Sequence, residues 1–408
     1  MADHERDELG RQAMTAIDTH AAEIVALADE IHQHPEIGFQ ERLASRLLAE
    51  ALGRHGMDIE YPIGGLETAF RATKRGRGAG PTIAVLAEYD ALPGLGHGCA
   101  HNLIAASGLA AAVALAPLMD QLDGTFQVIG TPAEEGGGGK VKLIDAGIFA
   151  NIDAALMIHH DRHITAVADA YPGDTSLALA DLKFAYRGRA THAGSNPHEG
   201  ANALNGVIKL FTGIDALRQH VRSDARIHGI ITHGGDAPNV VPDHAAADFF
   251  IRAADRDYLE TLVEKVRKIA EGAALMTETT VTITRPSPTN YDVRPSYVLG
   301  RRYEDNMRAA GLEVTPRSPT HGTFSTDFGN VSYLMPAATG SFAISREPIA
   351  HHSTEVVAAA RSDFGHQQML GVSKAMALTA LDLFLDPDLL ARAKDEHAHW
   401  AERYLDTP

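Results

Sequence analysis

Cysteine is nearly absent: Cys99 is the sole thiol in 408 residues. A lone thiol closes no internal disulfide, so no oxidised framework is expected and a cytoplasmic setting is the natural one. Positive charge is also scarce, with 36 lysines and arginines against 53 aspartates and glutamates, a formal balance of −17. A surface of that sign repels phosphate backbones and anionic lipid heads, so neither nucleic acid nor a membrane is expected as a partner. The opening stretch "MADHERDELGRQAM" carries charges where a secretory signal would need an apolar segment. No long apolar run compensates. The nearest, "LIAASGLAAAVALAPLM" from Leu103 to Met119, is alanine-rich and contains Ser107, Gly108 and Pro117. It falls short of the ~20 residues a membrane span needs, so a buried helix is expected there. Several catalytic signatures are missing as well. There is no G-x-S-x-G elbow and no H-E-x-x-H helix. "GLGHGC" lacks the third glycine of a dinucleotide fingerprint, and "RGRGAG" precedes a strand-like run instead of following one. "GGGGK" carries Glu134 at the leading-glycine position of a phosphate loop and Val141 where that loop needs a hydroxyl.

What is present reads as an α/β protein. Composition is that of a soluble globular chain, 45% hydrophobic and 22% charged, and 408 residues exceed one comfortable core, so two domains are expected. Ile24, Val25, Leu27, Ala28 and Ile31 recur at helical spacing up to a stop at Pro35, and "QERLASRLLAEALGRHG" gives a second amphipathic helix with a glycine stop. Three short runs, "TIAVLA" (Thr82 to Ala87), "FQVIG" (Phe126 to Gly130) and "AALMI" (Ala154 to Ile158), are apolar on both alternating faces. Such runs between helix-like segments predict a mostly parallel sheet covered by helices on both faces. Near residue 180 the texture changes to strand, helix, strand, strand, helix, strand, ending with "TVTITRP". That succession is a compact α+β module, ferredoxin-like in order. The predicted organisation is a catalytic domain over 1–179 and 291–408, interrupted by a smaller module over 180–290.

Chemistry gathers after the three apolar runs. The first leads into Glu88, Asp90, Cys99 and His101, the second into Glu134 and Glu135, the third into His159, His160 and His163. Ligands of open α/β sheets bind beyond the carboxyl ends of the strands, so the three clusters can converge on one cleft. Cys99 sits in a turn rich in glycine and histidine, not in an apolar run. A thiolate and two imidazoles within five residues suit zinc or another borderline divalent ion; a cysteine nucleophile with His97 or His101 as base is the other active reading. A nucleophile leaves the carboxylates unexplained. Glu134 and Glu135, between "TPA" and four glycines, can divide labour, one ligating a metal ion and the other acting as a base. His351 and His352, after the predicted strand "GSFAIS", stand where a further ligand is expected.

Taken together, these segments resemble the zinc-dependent aminoacylase/carboxypeptidase metallopeptidases. The nearest branch holds hippurate hydrolases, auxin-conjugate amidohydrolases, aminobenzoyl-glutamate hydrolase and the β-alanyl-lysine-type dipeptidase. The likeness runs in order through "IHQHPEIGFQE", "EYDALPGLGHGCAHNLIA", "GTPAEEGGGGK", "IDAALMIHH", "GRATHAGSNPHEGANAL", "STDFGNVSYLMPA" and "HHSTE". It implies that Cys99, His101, Glu135, His159 and His352 ligate two divalent ions, zinc first, with manganese or cobalt as alternatives. It further implies Glu134 as general base, and the inserted module as a lid and dimerisation domain. From that module His192 would steady the oxyanion of a neighbouring subunit's substrate, while Asn239 and Arg252 would grip the substrate carboxylate. One position departs: Ala100 stands where the family mostly has glycine, which predicts a narrower loop or a different turn.

The expected activity is hydrolysis of the amide bond of small N-acyl amino acids or dipeptide-like conjugates, in a homodimer or higher oligomer. A cysteine-nucleophile amidase and a non-catalytic binder of amino-acid conjugates are the rival readings. His160 for His159 and His351 for His352 remain open as ligand alternatives.

Overall fold

Runs of apolar residues too uniform for a half-wet strand must be covered on both faces, and the protein builds its first sheet from them. The computed structural model describes residues 2–167, 170, 176–315 and 324–400. In chain order its strands are β1 (Asp58–Glu60), β2 (Phe70–Arg75), β3 (Thr82–Ala87), β4 (Thr125–Gly130), β5 (Ala154–Asp161), β6 (Ala166–Val167), β7 (Ala178–Arg187), β8 (Arg226–His233), β9 (His244–Ala253), β10 (Thr280–Thr284) and β11 (Ala337–Ala343). Seven form one sheet in the order β1-β2-β4-β3-β5-β11-β6. Its centre, β4-β3-β5-β11, is parallel, and the flanking pairs β1-β2, β2-β4 and β11-β6 are antiparallel. Ile83 to Ala87 and all of β11 are buried, as two covered faces require.

Helix His101–Leu115 is buried at every residue and packs on β3, β4 and β5. The stretch His101–Gln121 is long and apolar enough by composition to cross a membrane, yet 94% of its most apolar window lies inside the fold. It is a core helix. Small side chains explain it: alanines at Ala105, Ala106, Ala110 and Ala112 let helices Ala21–Gln33 and Asp363–Leu385 approach closely. The sequence reading omits helix Ala2–Thr19, which buries Leu9, Ala13 and Ile17 at four-residue spacing between charged residues. Periodicity also omits β1 and β6, which are too short to carry a period, and β2, whose charged residues mask its buried Phe70, Ala72 and Thr73.

The chain divides into two compact units. One comprises the described residues within Met1–Thr175, Val293–Gly322 and Asp327–Pro408, the other those within Ser176–Asp292 and Thr323–Thr326. The second holds a four-stranded antiparallel sheet in the order β10-β7-β9-β8, the ferredoxin-like arrangement of a strand-helix-strand-strand-helix-strand succession. In β7, buried Leu182, Phe184 and Tyr186 alternate with wetter residues. The buried side carries helices Ala203–Leu217 and Arg256–Met276, each begun by an N-cap: Asn202 accepts from the Asn205 N–H and Asp255 from that of Tyr258.

Gly130 shows how closely the first sheet is fitted. It pairs directly with Phe70, whose buried ring stacks on Tyr89 at 6.2 Å. A Cβ at position 130 would stand 2.2 Å from the Cε1 of Phe70. Gly130→Ala should therefore force the ring off its place and cost about 1–3 kcal/mol, read as a lower urea midpoint at unchanged slope.

Candidate metal centre

Because β4, β3, β5 and β11 run parallel, their carboxyl ends share one edge of the sheet, and every predicted ligand of the first unit follows one of those ends. Glu88, Asp90 and the Cys99–His101 loop follow β3, Glu134 and Glu135 follow β4, His159 lies near the end of β5, and His352 follows β11.

The loop after β3 ends at Ala100, buried, with φ 51° and ψ 29°. That is the left-handed region, where a side chain costs roughly 1–2 kcal/mol and glycine nothing, so the alanine bears strain there. His101 then opens the core helix. Asp90 accepts from its Nδ1 at 2.9 Å, which fixes the ring and directs Nε2 into the cluster. That Nε2 lies 3.6 Å from Glu88 Oε2 and 3.7 Å from Glu135 Oε1. Burial alone would push the His101 imidazole down; Asp90 outweighs it and holds the ring well above the usual histidine range. Burial pushes the Cys99 thiol up. His97 is occupied elsewhere, its Nε2 donating to the Ile31 carbonyl at 3.1 Å, and burial lowers it to about 3.

The acidic doublet rides on a turn clamped from two sides. Glu41 Oε1 accepts from the Ala133 N–H at 2.8 Å, Asp90 Oδ2 accepts from the Glu135 N–H at 3.0 Å, and Ala133 itself adopts φ 57°. The other Glu41 oxygen accepts from the Thr68 hydroxyl at 2.9 Å. Among the four glycines, Gly139 is required by contact: a Cβ there would fall 1.7 Å from the Pro132 carbonyl oxygen. Burial, then the charges of Glu88 and Glu135, lift the Glu134 carboxyl well above its ordinary range.

The later histidines complete the cluster. His159 donates Nδ1–H to the His160 carbonyl at 2.9 Å, freeing Nε2, and its ring lies 6.0 Å from that of His101. His352 Nε2 faces Cys99 Sγ at 3.8 Å. Candidate ligand atoms meet within 4.8 Å in overlapping groups: Cys99 with Glu135 and His352, His101 with Glu134 and Glu135, Glu88 with His101 and His159, and Cys99 with His159 and His160. All five predicted ligands thus come together in the first unit, and His352, not His351, is the member that faces Cys99. The donor set suits borderline divalent ions. Buried His101 Nε2, Glu135 Oε1 and Glu88 Oε2 have no hydrogen-bond partner among the described residues, and a cation is the partner that would satisfy all three.

In the second unit, His192 and Asn239 are neighbours. The Asn239 carbonyl accepts from the Ala193 N–H at 2.9 Å, His192 pairs with Val240, and both residues are exposed. Arg252 is not with them. It lies across from Leu179 at the far end of β9 and donates to the Ser325 hydroxyl at 3.0 Å. Since His244 pairs with Arg187 at the near end, that places it about 26 Å further along at ~3.3 Å per residue.

Glu41, Lys140 and Asp327 belong to the site or its support, and the sequence reading assigns none of them. Each is a titratable side chain with 0% exposure, held by partners distant in sequence that no local pattern announces.

Known proteins resemble the chain throughout. A family model described as the peptidase dimerisation domain matches residues 178–277. An Xaa-Arg dipeptidase of Mus musculus is 36% identical, over 96% of this chain and 93% of its own. A subunit of the p-aminobenzoyl-glutamate hydrolase of Escherichia coli is 32% identical, over 96% and 95%. Among solved structures, an aminobenzoyl-glutamate utilization protein from Klebsiella pneumoniae superposes with TM-score 0.72 at 20% identity, covering 91% of this chain and 98% of that one. A Bacillus subtilis protein described as a dinuclear metal-binding peptidase from the M20 family gives TM-score 0.66 at 18% identity, over 90% and 99%.

Burial raises the Glu41 carboxyl from 4.5 to about 7. Between those values the folded state holds a proton that the unfolded state has released, so this group lowers stability as pH rises through the window. Glu41→Gln removes that loss. Its stability relative to the parent should improve steadily from pH about 4.5 to about 7 and level off above, measured by urea unfolding across pH.

Proposed function

This chain belongs to the M20 metallopeptidase family, and on that premise we propose that it hydrolyses the amide bond of dipeptides or N-acyl amino acids with two divalent ions held by Cys99, His101, Glu135, His159 and His352. Zinc fits the thiolate best, with manganese or cobalt next. The observation that carries this reading is the sharing of Glu135 between two groups of ligand atoms, one with Cys99 and His352, the other with His101 and Glu134. A bound pair of ions lowers the pKa of water and polarises a carbonyl.

The chain's own part is proton handling and orientation. Glu134 stands beside the ligand Glu135, and its raised carboxyl can take a proton from the attacking water and return it to the leaving amine. Asp90 fixes the tautomer of His101 and, through the Glu135 N–H, the position of that ligand. His192 is proposed to stabilise the oxyanion, and Asn239 and Arg252 to hold the substrate carboxylate. Arg252 stands about 26 Å along β9 from His244, and the His192–Asn239 pair lies in the segments beyond the His244 end, so two copies are proposed to share one small substrate. In such a homodimer one copy supplies Arg252 and the other the pair, and the matched dimerisation domain supports that assembly. Edge strand β8 leaves Ile230 and Ile231 65% and 46% exposed, an apolar edge suited to it. With a single thiol, the cytoplasm is the proposed setting.

The substrate class follows the relatives, named for Xaa-Arg dipeptides and p-aminobenzoyl-glutamate. A cysteine nucleophile is disfavoured because His97 is tied to Ile31, the thiol is lifted by burial, and a nucleophile would leave the Glu134–Glu135 doublet without a part. A mere binder would have no use for Glu134 beside a ligand carboxylate.

Glu134→Gln should keep both ions by elemental analysis and lose about 10²–10⁴-fold in kcat on Xaa-Arg dipeptides or p-aminobenzoyl-glutamate. Full turnover with both ions in place would remove Glu134 as base. Dialysis against EDTA should abolish hydrolysis, with zinc or manganese restoring it; turnover that survives chelation would overturn the two-metal reading.

A further inference from the structure

Beneath the site lies an ion cluster that the proposed chemistry does not use. The Lys140 ammonium, with 0% exposure, is hydrogen-bonded to Glu88 Oε1 and to Asp327 Oδ1, both carboxylates equally buried. Asp327 Oδ2 also accepts from the Lys140 backbone N–H at 2.9 Å. One cation against two anions leaves a buried negative charge, and an uncompensated buried charge costs several kcal/mol unless another cation meets it. The outlet for that charge is visible. Glu88 Oε2 has no hydrogen-bond partner among the described residues and points to the equally unpartnered His101 Nε2, 3.6 Å away. Glu88, His101 and His159 bring ligand atoms within 4.8 Å of one another.

We propose that Glu88 is a further metal ligand, with Lys140 and Asp327 as positioning residues that pin its Oε1 so that Oε2 is presented beside His101 and His159. The proposal rests on the two-ion reading above. Lys140 holds the carboxylate in one rotamer and cancels half of the charge of the two acids, leaving the remaining half for the ion. The lysine after the glycine run thus serves a carboxylate ligand, not a phosphate.

The test is metal affinity, independent of turnover. Zinc is titrated into the full-length protein against a chromophoric chelator, with circular dichroism to verify folding. The parent should take up two ions. Glu88→Gln should weaken one of them about 10–100-fold and leave the other unchanged. The charge-balanced pair Lys140→Met/Asp327→Asn, which removes one cation and one anion together, should weaken the same ion by about 10-fold, because Glu88 remains but is no longer pinned. A folded Glu88→Gln protein that binds both ions like the parent would overturn the proposal while leaving the two-ion reading intact. Were Glu88→Gln not to fold, unchanged affinity in the double variant would overturn it equally. A parent that takes up no zinc would sink the reading beneath both.

Discussion

More carboxylates meet at one sheet edge than there are buried ammonium groups to answer them. Glu88, Asp90, Glu134, Glu135 and Asp327 crowd a region whose buried ammonium is that of Lys140 alone among the described residues. Gathering such groups away from water is tolerable only when cations join them. The geometry meets this demand in layers. Lys140 answers the lowest layer, the His101 imidazole answers Asp90, and the topmost acids are left facing imidazoles and a thiol with atoms unpartnered. Divalent ions bound at the proposed site would join the charge balance of the fold as well as supply its chemistry.

The parallel centre of the first sheet makes that crowding possible. Each of β3, β4, β5 and β11 ends at the same edge, and each delivers its polar residues at or just beyond the end of an apolar run. Burial of the strands fixes their register, and register fixes the ligands. In the second unit, register separates instead. The antiparallel ladder sets Arg252 opposite Leu179 and His244 opposite Arg187, so two residues read from sequence as partners, Asn239 and Arg252, lie at opposite ends.

The centre of the fold was legible because it follows simple periods. "TIAVLA", "FQVIG" and "AALMI" became β3, β4 and β5, and the strand and helix succession after residue 180 became the ferredoxin-like sheet with its two helices. The convergence of the candidate ligands was legible because polar residues follow those runs directly. What escaped depends on contacts distant in sequence. Glu41 meets Ala133 across 92 residues, and Asp327 meets Lys140 across 187. No local pattern marks such pairs. The histidine doublets needed side-chain direction, which adjacency in sequence does not give; in the structure His352 Nε2 approaches Cys99 Sγ.

His101 is also the first residue of a helix whose every residue is buried. A ligand carried on a flexible loop can retreat and accommodate ions of different radius; His101, as a proposed ligand, is fastened to the interior. Swapping a small ion for a large one would require displacing packed alanines along the whole rod, which close packing resists. On the proposed two-ion reading, that anchoring would favour ions of one size and disfavour calcium, which wants longer bonds and more oxygens.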